Sequence, residues 1–369
     1  MAERQHIRMR VLPSGAVAFT DPRPSTLPVI RLFDPTYTVR TAPLPGFTSP
    51  RLLGTRMTGI GVLRDAVSEM SSTQLWAAHD NTTDHRVAAK PSEASLLDVK
   101  IELAMRMLEQ CELCALRCRV NRLNGERGRC GLGADAFVYE HYIHIAEEPP
   151  INPALNVSLR GCGMRCLFCQ QAAALNPKGR AAERLGPDIW NQLNLSEARS
   201  LVFVGGNPTE NLPAVLAFLR AAPPDFDLPI GWNCSGYDST DAIRLLNGVV
   251  DVYVPDFKYA DDACATRCSA APGYAANAVS AIETMLKQGV PVFVRVLILP
   301  GHVDCCHEPV LAALATLSTA SDLYVSVQDT YLPEWRALSP DTSLSERPRI
   351  EEVNRVRARG RDLGLTLVA

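Results

Sequence analysis

The feature that most constrains this 369-residue chain is an alternation that occupies its C-terminal two-thirds. Short apolar runs at 155–159, 200–204, 229–234, 250–255, 291–299 and 323–328 alternate with amphipathic stretches at 211–219, 239–246, 275–288, 307–317 and 350–363. Strand-then-helix repetition specifies a parallel sheet with crossover helices. Six such units suffice for an open barrel, in which reactive residues gather at the carboxyl ends of the strands. The fold expected is therefore α/β, a partial (β/α)6 barrel at 151–369. Ahead of it lie a helix plus Cys-rich region at 75–150 and a Pro-rich extension at 1–74.

The first strand end carries Cys162-Gly-Met-Arg-Cys166-Leu-Phe168-Cys169, three cysteines in one tight loop. Iron–sulfur clusters are held by Cys thiolates and normally need four. Three from one loop leave one iron open to a ligand that is not protein. A zinc site or three unrelated core cysteines are the alternatives, but zinc sites usually close with a second Cys or His pair. None follows closely.

The other strand ends are polar. The second ends in Gly205-Gly206-Asn207-Pro208-Thr209-Glu210, where glycines permit close backbone approach. The third ends in Asn233-Cys234-Ser235. After the fourth, Asp256 and Lys258 share a face two residues apart. On the fifth, Arg295 sits in an otherwise apolar run, and a buried Arg needs a carboxylate partner, which a bound ligand can supply. Glu147 and Glu148, ahead of the barrel, read as a solvated loop.

Upstream, a helical pattern from Ser92 to Gln110, capped by Ser92 or Ser95, runs into Cys111, Cys114, Cys118 and Cys130. Turns at Gly125 and Gly128 let these four thiols meet, as a closed zinc or [4Fe–4S] site or as a reduced cluster that binds nothing. The first 70 residues are rich in Pro, which argues against long helices. They hold β-like stretches at 7–12 and 29–33 and offer no chemistry. A net charge of −3 gives no basic field for nucleic acid. No apolar run reaches transmembrane length and the N-terminus has no leader-like run, so a cytosolic chain is expected. There, twelve cysteines point to metal or catalysis rather than disulfides.

Taken together, Leu75-Trp76…His79-Asp80, the Cys111–Cys130 region, Glu147-Glu148-Pro149-Pro150, the cysteine loop, Gly205-Gly206…Pro208-Thr209, Asp256-Phe-Lys-Tyr, Cys264-Ala and Leu299-Pro-Gly-His…Cys306 resemble one family. It is the pyruvate formate-lyase activating enzyme-like branch of the radical S-adenosylmethionine (SAM) superfamily. The resemblance covers roughly four-fifths of the chain, and an uncharacterised paralogue group with an extra N-terminal Cys region matches most fully.

The resemblance implies a [4Fe–4S] cluster on Cys162, Cys166 and Cys169, SAM chelated to the open iron, and reductive cleavage to a 5′-deoxyadenosyl radical. It further implies Phe168 against the adenine. Gly205, Gly206, Asn207, Pro208, Asn233, Ser235, Asp256, Lys258 and Arg295 would lie around the rest of the cofactor. An external donor of the flavodoxin or ferredoxin type would supply the electron. Asn207 stands where the family has an acid, Cys268 where Tyr is expected, Val296 where His is expected, and Ala115 where Pro is expected. Two activities follow as expectations. One is hydrogen abstraction from a small molecule such as a sugar or biosynthetic intermediate, for example an epimerisation with Cys268, Cys234 or Cys306 as hydrogen donor. The other is activation of a glycyl-radical partner protein.

Overall fold

A computed structural model describes residues 8–11, 17–20, 51–84, 88–172, 181–318, 322–339 and 343–368. Met1–Pro43 and Leu44–Ala369 form separate compact units. In the first, β1 (Arg8–Val11) and β2 (Val17–Thr20) pair as an antiparallel hairpin. The β-like stretch at 29–33 lies outside the described residues.

The second unit opens with the helix Arg51–Met57 and a small sheet of β3 (Gly59–Leu63) and β4 (Glu93–Ser95). Two helices, Ser72–Asp84 and Leu96–Arg106, pack beside it. Of the two caps considered, Ser95 is the one used. Its hydroxyl accepts from the Asp98 N–H, and the Asp98 carboxylate accepts from the Ser95 N–H at 2.9 Å, a reciprocal capping box.

Among the described residues the main sheet has nine strands. They are β5 (Phe137–His144), β6 (Ala154–Leu159), β7 (Glu183–Arg184), β8 (Ser200–Gly205), β9 (Ile230–Cys234), β10 (Val252–Pro255), β11 (Val292–Leu297), β12 (Leu323–Gln328) and β13 (Leu367–Val368). Their order is β7-β5-β6-β8-β9-β10-β11-β12-β13. From β6 through β13 all neighbours are parallel; β5 and β7 pair antiparallel at one edge. The six expected strands are all present, with helices at Leu212–Arg220, Thr240–Leu245, Tyr274–Leu286, Glu308–Leu317 and Ile350–Asp362 between or after them. Among the described residues both edges stay open, so the architecture is the partial barrel expected. The sequence reading missed β3, β4, β5, β7 and β13 and the helices Arg51–Met57, Ser72–Asp84 and Asp262–Ser269, and its helical stretch from Ser92 to Gln110 is helix only over Leu96–Arg106.

Side chains alternate between the two faces of a strand, and one face changes character along its length. Ala154, Val202, Val204, Val252, Val254 and Phe293 form an apolar floor together with Ile151. Two or more residues further along, the same faces carry Asn156, Asn233, Ser235, Asp256, Arg295 and Gln328, which line a cavity. The opposite faces (Leu155, Val157, Leu159, Leu201, Phe203) join the larger core beneath the helices. The sheet thus hides its N-terminal half in hydrocarbon and exposes a polar bowl at the carboxyl end.

Candidate active site

The bowl is a cavity of 350 Å³ lined by Cys162, Cys166 and Cys169 together with Gly205, Gly206 and the strand ends. The cysteine loop begins at Gly161, whose φ of +86° is open chiefly to glycine. The loop is strapped down by backbone bonds from Arg165 N–H to the Ser269 carbonyl and from Leu167 N–H to the Cys268 carbonyl, both 2.8 Å. Donors converge on the sulfurs. The Ser269 hydroxyl lies 3.0 Å from Cys166 Sγ, while Cys162 and Cys169 accept N–H bonds from Met164 and Gln171. Burial first, then Glu210 and the neighbouring thiols, pushes Cys162 well above an ordinary thiol. Cys169 is pushed up to about 12, chiefly by burial. Buried thiols of this kind give up their protons when metal takes their place. Phe168 is 5% exposed, lines the cavity and meets Tyr331 edge-to-face at 5.7 Å.

Gly205 and Gly206 serve a nearer purpose than ligand approach. A Cβ on Gly205 would stand 2.4 Å from Leu159 N, and one on Gly206 would stand 2.2 Å from the Gly161 carbonyl oxygen. The two glycines let the second strand end press against the first, and the Asn207 N–H bonds that same carbonyl at 2.9 Å.

Asn207 is itself fully engaged. Its amide oxygen accepts from Ser235 N–H at 2.9 Å, and its amide nitrogen donates to Asp238 at 3.1 Å and to Glu210. Glu210 also accepts from Gly163 N–H at 2.8 Å, inside the cysteine loop. Burial, reinforced by Asp238, pushes the Glu210 carboxyl up to about 7; burial raises Asp238 as well. An acid at 207 would be a third carboxylate against these two, which is a physical reason for the amide there. The sequence reading quoted Glu210 without assigning it a role and missed Asp238.

Asp256 and Lys258 form an ion pair whose side chains are 23% and 11% exposed. Burial opposes the Lys258 charge, but Asp256 and the Cys166 thiol outweigh it and hold the lysine above its ordinary value. Arg295 does not wait for a ligand. It grips Glu148 with two bonds of 2.7 Å and also bonds Glu147. These glutamates, read from sequence as a solvated loop, have side chains only 2% exposed. The loop between β5 and β6 reaches across the bowl to β11, and burial of Arg295 made an acid partner necessary. Glu147 further accepts from Asn156 at 3.0 Å and lies 3.0 Å from His144 Nδ1.

Among the donor candidates, Cys234 lines the cavity, whereas Cys268 and Cys306 do not. The Cys268 thiol lies 3.9 Å from His302 Nε2, and Cys306 is fully buried. The helix Asp262–Ser269, unforeseen in the sequence, turns Cys268 away from the bowl.

The Cys111–Cys130 region packs against the cysteine loop, since a Cβ on Gly163 would stand 3.4 Å from Cys114 Sγ. Cys114, Cys118 and Cys130 each accept the N–H of the second residue on, from Leu116, Val120 and Leu132. The buried Arg122 guanidinium lies 3.7 Å from Cys111 Sγ and also bonds the Glu210 carbonyl at 2.8 Å. Among the described residues, no three thiols of this region, nor the three of the cysteine loop, gather within 4.8 Å of one another. The sequence reading has four thiols that could meet; here Cys111 faces Arg122, and Cys114, Cys118 and Cys130 each lie close enough to Cys111 to interact with it electrostatically.

The cavity suits a cluster with SAM. It joins three sulfur donors to a polar wall, and the Asn156 amide oxygen lies buried in that wall without a hydrogen-bond partner. An unpaired buried acceptor is costly and matches a ligand that brings N–H donors.

A family model described as the radical SAM superfamily matches residues 156–314. An uncharacterised protein of Methanocaldococcus jannaschii is 30% identical over 277 residues, 71% of this chain and 77% of that protein. Among solved structures, SuiB of Streptococcus suis bound to S-adenosylmethionine aligns with a TM-score of 0.39 at 12% identity, over 56% of this chain and 47% of SuiB. The chain thus spans about half the length of that protein. HydG, a maturase of the [FeFe]-hydrogenase, aligns at TM-score 0.42 and 9% identity over 83% of this chain and 64% of HydG. Methylornithine synthase (PylB) aligns at 0.39 and 14% over 83% and 84%. With a cysteine loop at the first strand end of an open parallel barrel, the chain belongs to the radical SAM superfamily, and its cofactors are that family's [4Fe–4S] cluster and S-adenosylmethionine.

Proposed function

We propose that this enzyme modifies a C–H centre of a small polar molecule and returns hydrogen from a thiol, as an epimerase does. The observation that carries the reading is the cavity lining. Beside the three loop cysteines it presents Tyr142, His144, Gln171, Gln328 and Thr330, and one further thiol, Cys234. Bound at Cys162, Cys166 and Cys169, the cluster and SAM supply one-electron cleavage and a carbon radical able to take a hydrogen atom. The rest falls to the protein, which positions groups and excludes side reactions. Asn233, Ser235 and the Asp256–Lys258 pair would hold the polar parts of SAM beside Gly205 and Gly206, Phe168 would border its adenine and Asn156 would accept from its amino group, while Asn207, bonded to Glu210, Asp238 and Ser235, would position that wall. The Glu147–Glu148–Arg295 group holds the far wall. Burial first, then Asp238, keeps the Cys234 thiol far above its ordinary value. It therefore stays S–H at neutral pH, the form a hydrogen-atom donor needs. An external one-electron protein donor of flavodoxin or ferredoxin type completes the cycle.

The test is anaerobic reconstitution, then incubation in D₂O with SAM, dithionite and pools of small polar metabolites. The expected result is 5′-deoxyadenosine that depends on Cys162, Cys166 and Cys169, with one deuterium placed in a small-molecule product. Cys234→Ala should keep deoxyadenosine formation and lose the deuterium. Deoxyadenosine that rises only with an added glycyl-radical protein would replace this reading with the activase.

A further inference from the structure

Outside the bowl, the thiols of Cys264, Cys305 and Cys306 lie within 4.8 Å of one another. Cys264 Sγ stands 3.7 Å from Cys305 Sγ. The three come from two separate segments. Cys264 belongs to the helix Asp262–Ser269 after β10, and the other two to a π-helical turn, Val303–His307, after β11. In that turn the His307 N–H bonds the His302 carbonyl at 3.1 Å, five residues back. Single π turns are rare and concentrate at functional sites. None of the three thiols lines the cavity.

Geometry selects among the uses of such a group. Tetrahedral zinc, with Zn–S near 2.3 Å, sets two sulfurs about 3.8 Å apart, close to the separation of Cys264 and Cys305. Thiolates bound to different irons of a cluster stand further apart than two on one ion. The sulfurs also have outer donors in place. Arg267 Nη2 lies 3.2 Å from Cys264 Sγ, and Cys306 accepts the backbone N–H of Asp261. Such outer bonds orient ligands and compensate thiolate charge. The Asp261 carboxylate is occupied as the helix cap, accepting from Cys264 N–H at 2.6 Å. Cys264 and Cys306 are buried and Cys305 is exposed, so the fourth position faces solvent.

We propose that Cys264, Cys305 and Cys306 bind one thiophilic d¹⁰ cation, with zinc as the reference ion and water as the fourth ligand. Binding releases the thiol protons to solvent and changes no oxidation state. The ion ties the helix after β10 to the π turn after β11, the two strands whose residues Asp256, Lys258 and Arg295 line the bowl at or beyond their carboxyl halves. It therefore braces the wall of the bowl from behind.

The test uses the full chain, purified anaerobically. Zinc is titrated against a chromophoric chelator, and cobalt(II) serves as the optical probe, in the parent and in Cys305→Ser. Because Cys305 is exposed, that replacement leaves the core intact; Cys264→Ser is the second variant. We expect the parent to bind one equivalent more than either variant, or to bind that equivalent more than about 100-fold tighter, since losing a ligand exceeds the 10–100-fold cost of losing an outer partner. Thiolate-to-cobalt charge transfer should fall in both variants. Unchanged stoichiometry and spectra in both, with all ion held at Cys111–Cys130, would overturn the proposal. So would a Cys264–Cys305 disulfide in a parent that retains no metal.

Discussion

Replacing Arg295 by Leu tests whether the clasp across the bowl holds the barrel together. The guanidinium makes three hydrogen bonds to two carboxylates whose side chains are 2% exposed. Removing one partner of a buried ion pair costs about 3–5 kcal/mol, because the other charge is left uncompensated. Glu147 keeps His144 and Asn156, so Glu148 bears most of the loss, and the total stays at about 3–5 kcal/mol.

The pH dependence has a definite sign. Burial works against the Glu147 charge, but Arg295 together with His144 and Asn156 outweighs it and holds the carboxyl at about 2, against an ordinary 4.5. A depressed carboxyl gives stability that is present above its unfolded pKa and lost as pH falls through the folded one. The parent should therefore lose this contribution between about pH 5 and pH 2, while the variant, lacking it already, changes less. Urea denaturation at pH 7 and pH 4 reads both, since a shift in midpoint at constant slope is a change in stability. A deficit under about 1 kcal/mol at pH 7, below the typical cost of breaking a buried pair, would refute the argument. So would a deficit that does not shrink at pH 4.

Four further outcomes follow from local geometry. Asn207→Asp puts a third carboxylate beside Glu210 and Asp238. It should destabilise by about 2–4 kcal/mol at pH 8 and recover toward pH 5 in thermal melts. Glu210, raised to about 7, favours folding below its unfolded pKa and loses that contribution as pH rises through 7, so Glu210→Gln should flatten the stability profile between pH 5 and 8. Gly206→Ala forces a methyl to within 2.2 Å of the Gly161 carbonyl; it should cost about 1–3 kcal/mol and lower iron uptake at the adjacent cysteine loop. Ser95→Ala removes the capping box and should cost about 1 kcal/mol, read by urea denaturation, with iron content unchanged.

The parallel barrel was legible because each strand carries a continuous apolar run and each helix a 3.6-residue stripe, two periods that do not mimic one another. β5 was not. Phe137–His144 mixes Phe, Val, Tyr and Ile with His and Glu, so its strand propensity is visible only in hindsight, and its pairing with β6 is long-range information. The helix Asp262–Ser269 hid because its buried face is built of the small residues Cys264, Ala265, Cys268 and Ser269, which give no strong apolar stripe, and its start is fixed by the Asp261 cap. The cysteine loop and polar strand ends could be placed by spacing alone. Partners could not: that Arg295 meets Glu147 and Glu148, some 147 residues earlier in sequence, depends on barrel curvature that no local pattern encodes.

Cysteine spacing in sequence and sulfur spacing in space separate two kinds of site that composition merges. Cys162, Cys166 and Cys169 are close in sequence, yet no three thiols there fall within 4.8 Å. They surround a volume, as ligands of a polynuclear cluster must, and face a cavity where a further ligand can reach the fourth iron. Cys264 lies about 40 residues from Cys305 and Cys306, yet these three thiols converge on one point, as ligands of a single ion must. Helix and π turn create that convergence, and both rest on backbone hydrogen bonds that a sequence pattern does not display. A motif search rewards the first arrangement and overlooks the second, although the second is the one whose sulfurs already stand near the separation one ion requires.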